Sequence, residues 1–158
     1  MKKFLGILLS FTLILFNIQT AFAQDPNTKI EYFEDGSYCI TIIEDCNDIN
    51  ITGIATASTS KTVSKNKRTH YYSSSNVELW YVQVTGSFTY GNGSAVCNSA
   101  SVTAESKNKN WKISNRTSRK SGNSATASAT GNRYSKGKIA SSVTKSVTLT
   151  CSPTGKFS

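Results

Sequence analysis

The stretch Leu79-Trp80-Tyr81-Val82-Gln83-Val84-Thr85-Gly86-Ser87-Phe88-Thr89-Tyr90 decides the fold class. Its large apolar residues stand at even positions, and polar residues fill most of the odd positions between them. Side chains alternate between the two faces of a β-strand, so a period of two indicates a strand with one buried face. This pattern predicts a half-buried strand over residues 80–90.

The same alternation recurs in other parts of the chain. Residues 139–151 carry Ile139, Val143, Val147, Leu149 and Cys151 on one face and mostly Ser and Thr on the other. Trp111 and Ile113 begin a third such pattern, and residues 57–73 are typical of a long polar strand. In residues 125–130, three alanines alternate with Ser and Thr. Such small inward residues predict close approach by a large side chain, for example Trp80 or Trp111.

Turn-forming residues separate these segments. Asp35-Gly36 favours a type I′ hairpin turn, because both residues tolerate a positive φ. Gly91-Asn92-Gly93 and Gly122-Asn123 are typical of two further hairpins. Short connections of this kind join antiparallel strands. We therefore expect an all-β chain, an antiparallel β-sandwich of about eight strands whose topology the sequence leaves open.

The N-terminus has the pattern of a cleavable secretory signal. Lys2 and Lys3 precede the apolar run Phe4–Phe16, and Ala21-Phe22-Ala23 matches a cleavage site. The apolar run is 13 residues long, whereas a membrane-spanning helix needs about 20. We expect residues 1–23 to be removed and residues 24–158 to form one secreted domain that has no membrane contact after cleavage.

Four cysteines lie downstream of this signal, at positions 39, 46, 97 and 151. An even number of cysteines in an exported chain predicts disulfides. Four cysteines allow three pairings, and spacing does not select one. Our prediction is Cys39–Cys46 and Cys97–Cys151. A zinc site is disfavoured, because the chain has a single His and lacks a Cys-x-x-Cys pair.

Charge is divided unequally along the exported part. Residues 24–50 carry seven acids and one lysine, and residues 51–158 carry fifteen Lys or Arg and two acids. A basic surface attracts polyanions. An equally weighted alternative is that the acidic N-terminal hairpin, within residues 24–50, docks on the basic body and neutralises it.

Two stretches place cations beside aromatic rings, at residues 65–72 and 107–112. This pairing is typical of surfaces that hold polyanions or stack on sugars and bases. The alternative is that the lysines serve solubility, and for Trp111 we favour a core position beside Ile113. The candidate polyanion-binding residues are Lys65, Lys67, Arg68, Lys107, Lys109, Lys112, Arg116, Arg119 and Lys120. The candidate aromatic contacts are His70, Tyr71 and Tyr72.

The chain is poor in catalytic residues. His70 is its one histidine, no Gly-x-Ser-x-Gly motif occurs, and the acids cluster in one hairpin and its exit. The acidic turn at residues 44–50 departs from a calcium-binding loop, because Ile49 and Asn50 occupy positions for an oxygen ligand and a glycine. We expect no enzymatic activity, cofactor or metal.

The signal sequence, the hairpin over residues 32–38, the 79–90 strand and the ending Val143–Cys151 resemble a group of small exported proteins of Gram-positive bacteria. That group has no assigned activity, so the resemblance implies a bacterial origin and an extracellular location. We expect a secreted binding protein for an anionic wall polymer or acidic polysaccharide, with nucleic acid bound non-specifically. A toxin-like or interaction protein acting on other cells and an unrecognised hydrolase are the alternatives, and the oligomeric state is open.

Overall fold

The computed structural model describes residues 28–45 and 60–158. The predicted signal, residues 1–23, lies outside these residues. The described part is all-β, with eight antiparallel strands in two sheets, which confirms the predicted fold class. The strands are β1 (Thr28–Tyr32), β2 (Tyr38–Asp45), β3 (Lys61–Tyr72), β4 (Glu78–Gly91), β5 (Ser94–Ser106), β6 (Trp111–Ser121), β7 (Ser124–Ser135) and β8 (Lys138–Thr150).

Each sheet is built from strands in chain order. Sheet A has the order β1-β2-β3-β4-β5, and sheet B has the order β6-β7-β8. Every neighbouring pair is antiparallel. Short turns make this order possible, because a two-residue turn such as Asn92-Gly93, with φ of 51° and 76°, joins only adjacent strands.

The core lies between the two sheets. Trp80, Val82, Val84 and Phe88 of β4 are completely buried, as the alternation over residues 80–90 predicts. Tyr81 and Gln83 of the opposite face are buried as well, so this part of β4 is covered on both faces. Sheet B contributes smaller residues opposite this row, and Trp111 is buried as well, which confirms its predicted core position. The buried apolar side chains of sheet B are Trp111, Ala125, Ala127, Ala129, Val147 and Leu149.

The acidic hairpin is part of sheet A. β2 pairs with β3 along its whole length, from Tyr38 opposite Tyr72 to Asp45 opposite Lys65. Glu44 and Asp45 form ion pairs with cations of β3. The hairpin therefore extends the sheet as its edge, rather than docking as a separate arm.

The turn of this hairpin differs from the predicted type I′ turn. Gly36 has a φ of 78°, but Asp35 is not among the residues with positive φ. The loop spans residues 33–37, with hydrogen bonds from Phe33 N to Ser37 O (2.9 Å) and from Gly36 N to Phe33 O (3.0 Å). The Asp35 carboxylate accepts hydrogen bonds from Ser37 N (3.0 Å) and Ser37 Oγ (2.5 Å), and this side-chain contact favours the longer loop.

One core prediction in β8 is wrong. Ile139 is 56% exposed, whereas Val147 and Leu149 of the same strand are buried. The register between β7 and β8 shifts at Arg133 and Tyr134, next to the turn that begins β8. Such a shift ends the strict alternation between the two faces, so the period of two does not extend to Ile139.

Cys39, Cys97 and Cys151 are buried and have free thiols. The predicted Cys97–Cys151 disulfide is thus not formed in the structure. Cys46 lies outside the described residues. The predicted Cys39–Cys46 disulfide therefore stays a prediction.

Among the described residues, no helix is long and apolar enough to cross a membrane.

Candidate functional site

The nine cations predicted to bind polyanions lie on several different surfaces. Lys65 and Lys67 are on the β3 face that also carries the buried Thr69, directed toward sheet B. Lys65 forms an ion pair with Asp45. Lys67 is half-buried, and burial, with a smaller effect of Lys29, lowers the pKa of its amine. Neither side chain belongs to an open basic surface.

Arg68 and Lys107 lie around Tyr81 on the outer face of sheet A. The Arg68 guanidinium is 4.7 Å from the Tyr81 ring centroid, and the Lys107 ammonium is 5.3 Å from it. Each also has an acid partner, Glu44 at 3.8 Å for Arg68 and Glu105 at 3.5 Å for Lys107. These pairs leave the outer face of sheet A with little net charge.

Arg116 and Lys120 join the edges of the two sheets. Arg116 Nε donates to Ala104 O (3.0 Å), and Lys120 Nζ donates to Asn98 O (2.7 Å). Both acceptors are carbonyls of β5, the edge strand of sheet A. Unpaired groups on an edge strand invite pairing with other chains, so these two cations have a structural role at the closed side of the sandwich.

Arg119 points outward from sheet B into a surface rich in hydroxyl groups. Hydroxyls pair across β7 and β8, with Thr126 Oγ1 to Thr148 Oγ1 and Thr130 Oγ1 to Thr144 Oγ1 both at 2.9 Å. Because the hydroxyls bond to one another, this face is stable without a ligand. A shallow depression of about 190 Å³ lies beside Arg119, lined by Thr117, Ser118, Thr126, Ser128 and Ser146.

The remaining two predicted cations meet three others at one end of sheet B. The β5–β6 turn contacts the end of β7, where Tyr134 N donates to Asn110 O (2.7 Å), and Lys112 Nζ lies 5.0 Å from the Tyr134 ring centroid. All five cations here are exposed, and none forms an ion pair with a described residue. We call this group the basic end: Lys109, Lys112, Arg133, Lys136 and Lys138.

Sequence reasoning overlooked Arg133, Lys136 and Lys138. The stretch Arg133-Tyr134-Ser135-Lys136-Gly137-Lys138 places cations beside a ring, as the two predicted stretches do. This signal was available in the sequence. The proximity of these three cations to Lys109 and Lys112 could not be predicted from the sequence, because it depends on the antiparallel pairing of β6 with β7.

The predicted aromatic contacts also separate. His70 and Tyr72 lie on the outer face of sheet A, where the Tyr72 ring stacks on Tyr38 with centroids 5.0 Å apart and planes 7° apart. His70 Nδ1 is 2.7 Å from Glu78 Oε1. Tyr71 is instead buried, because β3 directs alternate side chains to opposite faces. It contributes to the core and not to the outer surface.

A cleft opens between the sheets beside the basic end. It consists of two adjoining cavities of about 350 and 440 Å³, which share Asp35, Ser37, Tyr71 and Val143 as lining residues. The first cavity is also lined by Phe33, Glu34 and Lys145. The second is also lined by Ser73, Ser74, Leu79, Trp111, Arg133 and Ser141.

The cleft combines aromatic side chains with fixed polar groups. Tyr71 and Trp111 meet edge to face with centroids 5.8 Å apart, and the Tyr71 hydroxyl donates to Ser37 Oγ (3.0 Å). Hydrogen bonds from Ser37 lower the pKa of the Asp35 carboxyl, which is therefore ionised at neutral pH. Among the described residues, no group of three or more His, Cys, Asp or Glu side chains is placed to hold a metal ion.

The fold and these sites define an antiparallel β-sandwich with a basic end and an adjoining cleft between its sheets. Comparison with protein-family models, curated proteins and solved structures finds no match to this chain.

Proposed function

We propose that this chain is an exported, non-enzymatic binding protein that associates with an anionic extracellular polymer through the basic end. The observation that carries the proposal is the group of five exposed cations without ion pairs to described residues. Export rests on the N-terminal sequence pattern, and a wall polymer or acidic polysaccharide is a polyanion available outside a bacterial cell.

The charge distribution supports a polyanion at this end of the molecule. After Glu105 the chain contains eleven Lys or Arg residues and no acid, so sheet B and its turns carry positive charge alone. The acids of the described residues lie in sheet A or the β1–β2 turn, where several neutralise nearby cations. A flexible polyanion gains most from exposed cations, whose long side chains adjust to its charged groups.

Binding to immobilised polygalacturonate tests the proposal. We expect retention that falls steeply with salt, because electrostatic association releases counterions as cations contact the polymer. The double variant Lys136→Gln, Lys138→Gln removes two cations of the basic end and is expected to weaken binding roughly tenfold at low salt. It should also reduce the slope of log affinity against log salt.

The matched control is the double variant Lys61→Gln, Lys156→Gln, which removes the same charge from exposed positions outside the basic end. We expect this control to retain most of the affinity. Equal losses for the two double variants, or retention independent of salt, would contradict the proposal. Neutral dextran on the same support corrects for adsorption to the matrix.

A further inference from the structure

The cleft between the sheets offers a second, more selective kind of contact than the basic end. We propose that it binds a sugar unit bearing a carboxylate, as part of an acidic oligosaccharide. This inference rests on the proposed function for the source of the ligand. It goes beyond that function by assigning a separate site and a chemical class.

The volume of each cavity suits a single small ring. Cavities of about 350 and 440 Å³ lie within the range of small-molecule sites. Tyr71 is 6% exposed and Trp111 is 7% exposed, so each presents a small part of a ring to the cleft while the core holds the remainder. The exposed parts of these fixed rings offer apolar contacts to the C–H groups of a sugar ring.

Each of the two cavities has one cation in its lining. Lys145 Nζ lies 3.8 Å from the Phe33 ring centroid in the first cavity. Arg133 Nε donates to Ser141 Oγ (3.3 Å) at the second. Neither cation has an ion pair with a described residue, so a carboxylate of the ligand can pair with each of them. Lys145 also interacts with the Phe33 ring and the Cys39 thiol.

Acids also face the cleft and limit the ligands that fit. Asp35 lines both cavities, and Glu34 lines the first. A carboxylate accepts hydrogen bonds from hydroxyls and repels other anions. The lining therefore combines two cations with two acids, which selects against uniform dense negative charge. It favours acidic groups separated by hydroxyls, the pattern of a uronic-acid oligosaccharide.

Arg133 connects the cleft to the basic end. The same side chain lines the second cavity and belongs to the exposed cation group. A polymer held by the basic end thus lies beside the cleft opening, which raises the local concentration of sugar units at the cleft.

Isothermal titration of the secreted chain with trigalacturonate tests the inference, with maltotriose as the neutral counterpart. We expect trigalacturonate to bind and maltotriose to bind at least tenfold more weakly. Val143→Phe fills the wall shared by both cavities, and Lys145→Gln removes one cation; each is expected to weaken trigalacturonate binding at least tenfold. Because Val143→Phe can perturb packing, replacement of the half-buried Lys145 by Gln provides the independent variant. Lys156→Gln is the control that removes one charge outside the cleft.

Failure of this inference and failure of the proposed function give different results. If Lys145→Gln binds trigalacturonate as well as the original protein does, or maltotriose binds equally well, the cleft assignment is overturned. The proposed function is then judged by the polygalacturonate retention experiment alone. If both cleft variants lose trigalacturonate while polymer retention is independent of salt, the cleft assignment stands and the proposed function fails.

Discussion

Replacement of Gly131 by alanine is expected to lower the free energy of unfolding by about 3 kcal/mol, the upper part of the usual range for overpacking. A Cβ atom on Gly131 would lie 2.5 Å from Trp80 Cε2 and 2.6 Å from Trp80 Nε1. Trp80 is completely buried and its ring cannot move into solvent. The side chain must therefore leave its preferred position, or β7 must move away from β4. Urea denaturation followed by circular dichroism measures the loss.

Two further variants isolate the contact between Gly131 and Trp80. Gly137→Ala meets no atom within 4 Å but has a φ of 76°, so its expected cost of about 1 kcal/mol comes from the backbone alone. Trp80→Leu removes the ring atoms nearest to the new methyl group, so Gly131→Ala should cost at least about 1 kcal/mol less in that background. Additive costs in the double variant would show that another contact limits residue 131.

The sequence patterns that predicted the fold correctly are those tied to burial between sheets. The alternation at Trp80, Val82 and Val84 reflects a face that is wholly covered, and these residues are completely buried. The three alanines of β7 predicted to face inward are completely buried, and the close approach of Trp80 is observed at Gly131 of the same strand, a residue outside that prediction. The same reasoning wrongly predicted a buried Ile139, because the alternation of residues in β8 gives no sign of the register shift beside its first turn.

The candidate site was less predictable than the fold, because position along the chain does not determine which cations meet. Lys67 and Arg68 are adjacent in sequence but point to opposite faces of β3. Lys112 and Lys136 are distant in sequence, and the β6–β7 pairing brings their segments to one end of sheet B. The cleft is lined by two turns of sheet A and by strands of sheet B, so no local sequence pattern predicts it.

Oxidation of Cys97 and Cys151 to a disulfide stays a prediction, and two backbone contacts support it. Cys97 N donates to Gly122 O (2.8 Å), and Cys151 N donates to Asn123 O (3.0 Å), so the two cysteines flank one turn between β6 and β7. The bridge would close a long loop, which stabilises the folded state by about 4 kcal/mol in the chain-entropy treatment. In the reaction, two thiols lose two protons and two electrons to an external disulfide such as oxidised glutathione.

After refolding with oxidised glutathione, the mass of the protein is expected to fall by the two hydrogens of one thiol pair. The oxidised protein should also need more urea to unfold than the reduced protein does. Peptide mapping should join Cys97 to Cys151, and the double variant Cys97→Ala, Cys151→Ala should lose the effect of reductant on the unfolding midpoint. Alkylation of both thiols after denaturation without reductant would contradict the pairing.

Burial raises the pKa of both thiols, which lowers their thiolate fraction in the folded state. Since the thiolate is the attacking species, the bond should form faster during refolding than in the folded reduced protein, and a time course of both reactions measures that difference.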